Sequence, residues 1–291
     1  MKIGLLTNSL TWAGMKGLPE IADWAFANGF RDLEVGPAIP LEEETFHQVL
    51  EKGQITISSL IYCRNFLSED PREAAEHQKQ LKARIAFAHK IGIGKIVCST
   101  GVTKESFEGM RYDPEKSMGA VVDFLKDIVD LAEKNQVRIC IENCPMMGNI
   151  AISPYMWQLL FDKIPSEFLG LAFDPSHMIW QFMSPYENIG KFGPKIFHVH
   201  GKDTEILYEN LSKIGILHNI TVERQFYPHQ WWRHRLPGLG SIDWNRILAN
   251  LDEIGYGGTI SIEHEDPVWE GSLAKVQQGL VKARKHIESF L

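Results

Sequence analysis

Residues 137–174 decide the fold, because they open with VRICIE (137–142) and close with LGLAFD (169–174). Both runs are short and apolar, which is typical of strands that are buried in a parallel sheet. Between them lies PYMWQLLFDK (154–163), a predicted helix that opens on a proline, a residue favoured in the first turn. A strand, a helix and a second strand in this order form a βαβ unit, so the stretch predicts a parallel sheet covered by helices.

The same alternation continues on both sides of this stretch. The predicted strands lie at residues 3–7, 32–35, 54–62, 95–99, 137–142, 169–173, 195–200 and 259–263. The predicted helices lie at residues 19–28, 42–52, 71–91, 114–135, 154–163, 185–192, 243–254 and 272–290. A closed (β/α)8 TIM barrel needs eight strands, each followed by a helix, and we predict this α/β fold as a single domain over residues 1–291.

A doubly wound open sheet is the alternative fold for alternating strands and helices. Such a sheet normally has fewer strands and carries a glycine-rich phosphate loop after the first one. Here the first strand is followed by TNSLTWAG (7–14), which contains no GxGxxG pattern. The barrel is therefore the favoured prediction.

One connection breaks the rhythm, because about forty residues, at about 201–242, separate the seventh strand from its helix, a length that is usually functional or disordered. This connection contains FYPHQWWRHRLPGLG (226–240), which is rich in aromatic side chains and arginine and is unlike a disordered segment. We predict an ordered lid or binding wall. Packing against a neighbouring subunit is the alternative.

Composition restricts the partners. The formal net charge of −7 disfavours a nucleic-acid partner, because phosphate binding needs a basic surface. No apolar run is long enough to span a membrane, and the N-terminal apolar run is too short for a signal peptide. The four cysteines show no CxxC spacing, which predicts buried thiols in a reducing compartment. We therefore predict a cytoplasmic protein with neither a nucleic-acid nor a membrane partner.

Four consecutive predicted strands end in side chains that can bind a metal, namely Glu142, Asp174, His200 and Glu263. In a parallel barrel the carboxyl ends of all strands meet at one rim, where active sites lie. Three carboxylates at one rim repel each other unless a dication offsets their charge, so the pattern predicts one divalent metal ion. A donor set made mostly of oxygen favours Mn²⁺, with Mg²⁺, Co²⁺ or Zn²⁺ as alternatives.

The motifs around these strand ends carry a resemblance to a known family. They are IEN (141–143), FDPSH (173–177), HVHGKD (198–203), PGLGSIDW (237–244) and SIEHED (261–266). In this combination the sequence resembles the xylose-isomerase-like TIM barrels, often called sugar phosphate isomerases/epimerases. The resemblance is specific for the superfamily but not for one activity, because its members include ketose 3-epimerases, hydroxypyruvate isomerase, inosose dehydratase and an apurinic-site endonuclease.

The resemblance implies roles for the residues that match the motifs. Glu142, Asp174, His200 and Glu263 correspond to the shared metal ligands, and Glu142 and Glu263 to the acid/base pair of the epimerases. His177, in an Asp-x-x-His pattern, corresponds to a substrate-contacting histidine. The resemblance also implies a small-molecule carbohydrate substrate and assembly as a homodimer or homotetramer.

Aromatic and basic side chains near the rim supply further predicted substrate contacts. Trp232 in the long connection and Trp12 after the first strand are candidates to stack on a sugar face, with plain packing as an equal alternative. Lys202 or Arg233 is expected to bind substrate hydroxyls or a carboxylate, and a rim salt bridge is the alternative for Lys202. We expect His198 to support the ligands from behind or to pack in the core.

The predicted function is a divalent-metal-dependent isomerase or epimerase that acts on a keto sugar or related polyol through an enediolate. One glutamate would remove a proton and the other would return one. A lyase or dehydratase acting on an inosose or a 3-keto glycoside shares this intermediate and is the alternative. Two functions are less favoured: an endonuclease-type phosphodiesterase, which needs histidines at earlier strand ends, and a non-catalytic sugar-binding barrel.

Overall fold

Short strands alternate with helices in the computed structural model, which describes residues 1–109, 111–145, 148–217 and 230–291. The strands are β1 (Lys2–Leu6), β2 (Asp32–Val35), β3 (Thr56–Tyr62), β4 (Lys95–Cys98), β5 (Phe107–Glu108), β6 (Arg111–Tyr112), β7 (Arg138–Glu142), β8 (Leu169–Phe173), β9 (Ile196–Gly201), β10 (Asp203–Ile206), β11 (Trp232–Arg235) and β12 (Thr259–Ile262). The α-helices are α1 (Asn8–Trp12), α2 (Leu18–Ala27), α3 (Glu43–Glu51), α4 (Pro71–Ile91), α5 (Met118–Lys134), α6 (Pro154–Lys163), α7 (Pro175–Trp180), α8 (Pro185–Phe192), α9 (Tyr208–Ile214), α10 (Trp244–Glu253) and α11 (Leu273–Glu288).

Eight of these strands close into a barrel in the order β1, β12, β9, β8, β7, β4, β3, β2. Each neighbouring pair is parallel, and β1 pairs with both β2 and β12, so the sheet closes on itself. The predicted TIM barrel is thereby confirmed and the open sheet is excluded. The four strands whose ends carry the predicted metal ligands, β7, β8, β9 and β12, are consecutive around the barrel.

Local sequence explains where α4 begins and ends. The Asp70 side chain accepts a hydrogen bond of 2.8 Å from the backbone N–H of Arg72, which satisfies a free donor of the first turn. Gly92 ends the helix in the left-handed region, with φ of 76°, which glycine adopts without strain. The predicted helix at 71–91 matches these bounds. The helix predicted at 114–135 instead opens with a 3₁₀ turn, Pro114–Ser117, before α5.

Buried polar side chains occupy part of the barrel interior, whereas the large apolar core includes the residues packed between barrel and helices. Glu34 of β2 lies 3.0 Å from His198 of β9, and both side chains are fully buried. Because β2 and β9 are not neighbours in the barrel, this contact crosses its interior. Burial of a charged group costs free energy unless the group is paired, and Glu34 and His198 provide such a pair inside the barrel.

Within the predicted long loop, the described residues form an antiparallel pair of strands, here called the hairpin, with a helix between them along the chain. Strands β10 and β11 pair antiparallel, and α9 lies between them along the chain. Asp203 anchors the hairpin, because its carboxylate accepts hydrogen bonds from the backbone N–H groups of Thr204, Gly238 and Ile242 and from the Trp244 indole. Residues 218–229 of this connection lie outside the described residues, so the lid prediction is tested only in part.

Two compositional predictions can be compared with the fold. No helix in the described ranges is long and apolar enough to cross a bilayer. All four cysteines are buried and free of disulfide bonds, in agreement with the prediction of buried thiols.

Candidate active site and metal centre

The four predicted metal ligands converge at the carboxyl-terminal rim of the barrel. Glu142, Asp174, His200 and Glu263 each present one ligand atom, and these atoms all lie within 4.8 Å of one another. His200 Nδ1 lies 3.1 Å from Glu142 Oε1, 3.3 Å from Glu263 Oε2 and 3.9 Å from Asp174 Oδ2. We call these four residues the quartet. Their strands are neighbours in the barrel, which is why their last side chains meet.

A carboxylate below the quartet determines the tautomer of His200. Glu34 Oε2 lies 3.1 Å from His200 Nε2. Burial alone would raise the pKa of Glu34, but His198 and His200 outweigh it and hold that pKa well below its usual value. An ionised carboxylate only accepts hydrogen bonds, so Nε2 of His200 carries the proton. The neutral ring then directs its Nδ1 lone pair at the other three members of the quartet.

This arrangement fits a cation. A nitrogen lone pair that faces carboxylate oxygens at 3.1 and 3.3 Å is repelled by them unless a positive charge lies between the groups. Burial alone would lower the pKa of His200, but Glu34, Glu142 and Glu263 raise it well above its usual value, so without such a cation the ring carries a second proton. Asp174 Oδ2 is buried, makes no hydrogen bond among the described residues and faces the Lys202 ammonium at 3.1 Å. The donor set can therefore hold one divalent ion.

Glu34 and His198 lie behind His200, the candidate metal ligand, and contact it or each other through one Glu34 oxygen. Glu34 is absent from the predicted site. Glu34 Oε2 is shared between Nε2 of His198, at 3.0 Å, and Nε2 of His200. A carboxylate that holds the second nitrogen of a metal-binding histidine fixes the orientation of its ring. The sequence does contain a signal, since DLEV (32–35) is a predicted strand with two carboxylates on one face. The expectation that His198 supports the ligands from behind agrees with this geometry.

Other side chains contact Glu142, at the end of β7, and Asp174, directly after β8. The Cys63 thiol, whose pKa is raised by burial and then by Glu142, donates to Glu142 Oε2 at 3.4 Å. The Asn143 side-chain amide bonds to both backbone polar groups of Asp174. It accepts from the Asp174 N–H at 2.7 Å and donates to the Asp174 carbonyl at 2.8 Å. These bonds hold both carboxylates at the rim.

Lys202 is a buried cation beside the quartet. Its Nζ lies 2.7 Å from Glu263 Oε2, 3.1 Å from Asp174 Oδ2 and 3.0 Å from Glu265 Oε2. Burial alone would lower the pKa of Lys202, but Asp174, Glu263 and Glu265 raise it well above its usual value. The predicted rim salt bridge is therefore present, and it involves two members of the quartet.

Two buried imidazoles line the side of the site that faces the hairpin. His177 Nε2 lies 3.4 Å from Asp174 Oδ2, and the His177 ring meets the His234 ring edge to face with centroids 5.3 Å apart. His234 Nε2 in turn lies 3.6 Å from Glu265 Oε2. His177 is thus where the sequence predicts it. His234 and Glu265 are absent from the predicted site, and only the alternation of WRHR (232–235) could have indicated that His234 faces inward.

Three predicted substrate contacts do not join the quartet. Trp232 is fully buried and stacks on Trp180, with ring centroids 4.4 Å apart and planes at 3°, so the packing alternative describes it. Arg233 alternates with His234 along β11, faces the other side, and donates to Glu205 at 2.7 Å. Trp12 is 69% exposed and lines a cavity of about 410 Å³, to which no member of the quartet contributes in the described structure.

Comparisons with known proteins agree with this architecture. The model of the family described as "Xylose isomerase-like TIM barrel" matches residues 22–289. The inosose dehydratase of Clostridium beijerinckii is 27% identical over 277 residues, which cover 92% of this chain and 87% of that protein.

Solved structures share the fold. The IolI protein with a binding zinc atom superposes with a TM-score of 0.75 at 19% identity, covering 100% of this chain and 99% of that chain. The D-psicose 3-epimerase of Clostridium cellulolyticum, solved with D-tagatose, superposes with a TM-score of 0.74 at 16% identity over 100% of this chain and 99% of that chain. At these identities the superpositions describe a common fold.

Proposed function

The chain belongs to the xylose isomerase-like TIM barrel family, and from that premise we propose that it is a metal-dependent lyase that removes water from a polyhydroxylated cyclic ketone of the inosose type. Its similarity to an inosose dehydratase over most of both chains supports this activity. The sequence ranks an isomerase or epimerase first and a lyase second, and the relatives favour the second of these. They are enzymes, as predicted for this chain.

The quartet is the proposed metal site, with Mn²⁺ as the first expected ion because three of its four donors are carboxylates. The zinc atom in the IolI structure makes Zn²⁺ the first alternative. A bound divalent ion would polarise the substrate carbonyl and stabilise the negative charge that develops on its oxygen. We propose Glu142, Asp174, His200 and Glu263 as its ligands.

The side chains of the rim supply the proton transfers. Glu142 or Glu263 removes the proton from the carbon next to the carbonyl, and the released electron pair forms a carbon–carbon double bond as the β-hydroxyl leaves. The leaving oxygen takes up one proton from solvent and departs as water, and the glutamate that accepted the substrate proton returns one proton to solvent, so the substrate loses one water and no net proton. Lys202 holds Glu263 in place through the 2.7 Å contact.

The convergence of the His200 Nδ1 lone pair with three carboxylates carries this proposal. The test is to prepare metal-free protein, load it with Mn²⁺, Co²⁺, Mg²⁺ or Zn²⁺, and follow a keto-inositol in D₂O by NMR and ultraviolet absorbance. We expect loss of water and a conjugated carbonyl product with at least one ion. No bound metal, or no reaction and no proton exchange with any ion, would refute the proposal.

Epimerisation is the second candidate function. It is favoured by the presence of two carboxylates, Glu142 and Glu263, at 3.1 and 3.3 Å from His200 Nδ1, since an epimerase needs two acid/base groups. In the same experiment an epimerase returns an isomer of the substrate that has lost no water and that carries deuterium at one carbon. Recovery of such an epimer from a ketose, without loss of water from the keto-inositol, would favour this function.

Location and assembly stay predictions. We propose a cytoplasmic enzyme that acts on a small carbohydrate as a homodimer or homotetramer. Sedimentation velocity on the metal-loaded protein tests the assembly, and a purely monomeric species would contradict it.

A further inference from the structure

The hairpin side of the site contains buried polar atoms that the fold does not use. Both ring nitrogens of His177 and of His234 lack a hydrogen-bond partner among the described residues, and both side chains are fully buried. His177 Nε2 lies near Asp174 Oδ2, at 3.4 Å, without hydrogen-bond geometry. Buried polar groups are nearly always hydrogen-bonded, so unpartnered nitrogens next to a candidate active site indicate a ligand.

The hydrogen-bonding capacity of the His234 ring limits the ligand. Burial, and after it the Lys202 ammonium, lowers the pKa of His234 to about 4. A neutral imidazole offers one N–H donor and one lone pair. A hydroxyl group also donates one hydrogen bond and accepts others, whereas an ionised phosphate or carboxylate only accepts. The His234 ring, with both nitrogens unpartnered among the described residues, therefore matches a hydroxyl better than an anion.

The charges around the rings point the same way. Glu265 Oε2 lies 3.6 Å from His234 Nε2 and would repel an anion placed there. Lys202 is the cation next to this corner among the described residues, and it is already shared by three carboxylates. The two arginines of β11, Arg233 and Arg235, bond to Glu205 and do not face His234.

We propose that His234 and Glu265 extend His177 into a hydroxyl-binding wall, and that this wall selects an uncharged polyhydroxylated ring over its phosphorylated or carboxylated analogues. The inference rests on the proposed function, because the wall serves a substrate only if the neighbouring quartet carries the chemistry. It assigns part of the specificity to His234 of β11, a strand of the hairpin that lies outside the barrel sheet.

The test measures binding without turnover. Mn²⁺-loaded protein is titrated by calorimetry with myo-inositol, a neutral ring without a carbonyl, and with myo-inositol 1-phosphate. We expect the neutral ring to bind at least about tenfold more tightly, since a phosphate at the wall meets Glu265 and no unpaired cationic side chain among the described residues. Tighter binding of the phosphate, or no binding of myo-inositol, would overturn the wall.

Variants then locate the effect. His234→Phe preserves a planar ring but removes both nitrogens, and we expect it to weaken myo-inositol binding about tenfold while Mn²⁺ content stays complete. His234→Gln retains a donor and an acceptor and should recover part of the affinity. The matched control is Glu205→Gln, on the opposite face of the same hairpin, which should bind myo-inositol like the wild type.

The outcomes separate this inference from the proposed function. Wild-type affinity in a folded, metal-loaded His234→Phe variant would overturn the wall, as would an equal loss in Glu205→Gln. If His234→Phe does not fold, the myo-inositol affinity of His234→Gln is compared with that of Glu205→Gln. Weaker binding in His234→Gln alone supports the wall, and equal binding in both variants overturns it. Selective binding of myo-inositol without turnover of a keto-inositol would support the wall and refute the proposed lyase, whereas turnover without selectivity would refute the wall alone.

Discussion

The barrel rim and the β10–β11 hairpin are both parts of the candidate site, but their side chains are positioned in different ways. At the rim, the neighbouring parallel strands β7, β8, β9 and β12 bring their carboxyl ends together, so backbone geometry places Glu142 and Glu263 near each other. In the hairpin, position depends on packing and on anchors such as Asp203, whose carboxylate accepts four N–H groups. The comparison teaches that the barrel backbone brings the candidate acid/base groups together, whereas the hairpin side chains depend on packing and on hydrogen-bonded anchors.

The strongest test of the rim is removal of its acid/base groups. Glu142→Gln and Glu263→Gln are each expected to lower kcat by about 10²- to 10⁴-fold with the fold intact, because an amide cannot take the substrate proton. Turnover, bound metal and circular dichroism are measured on each variant. Wild-type turnover in either variant would contradict the acid/base assignment.

Packing in the hairpin is tested by Trp232→Ala. The indole is fully buried against Trp180, so its loss should destabilise the protein by about 3–5 kcal/mol. Urea unfolding of the metal-loaded protein measures this change. An unchanged free energy of unfolding together with a raised KM would instead restore the prediction that Trp232 stacks on a sugar.

The role of Glu34 in orienting His200 is tested by Glu34→Gln. The amide keeps an acceptor oxygen but loses the negative charge that attracts the rings of His198 and His200, so Mn²⁺ affinity should fall about 10- to 100-fold. The matched control is Asp32→Asn, two residues earlier on β2, whose side chain bonds to Thr56 and not to the ligands. Equal loss of affinity in both variants would show a general effect of the interior rather than orientation of His200.

The pH dependence of metal binding gives the smallest expected effect. In the metal-free protein the pKa of His200 is raised well above its usual value, so the ring is protonated near neutral pH and must lose its Nδ1 proton to bind a metal. Affinity should therefore rise with pH, by up to about tenfold per unit, until that pKa is passed. Calorimetry in two buffers of different ionisation enthalpy counts the released proton, and release of none would contradict the assignment.

The sequence predicts the rim well for a physical reason. Strand periodicity places Asp174 and His200 without knowledge of any distant contact, and the eight-fold alternation of strand and helix predicts the closure. Glu34 escapes prediction because its role depends on a contact across the barrel, between strands that are not neighbours. The orientations of His234 and Arg233 also escape prediction. Which of them faces inward depends on the register of β11 against β10, a strand about thirty residues away in the sequence.

Lys202 gives the site a further property. Its ammonium lies 2.7 Å from Glu263 and 3.1 Å from Asp174, so part of the negative charge is neutralised by the polypeptide itself. The like charges of the quartet therefore have a compensating group even without an ion. An ion that binds there would share these oxygens with the ammonium, so we expect Lys202 to lower the metal affinity of the quartet.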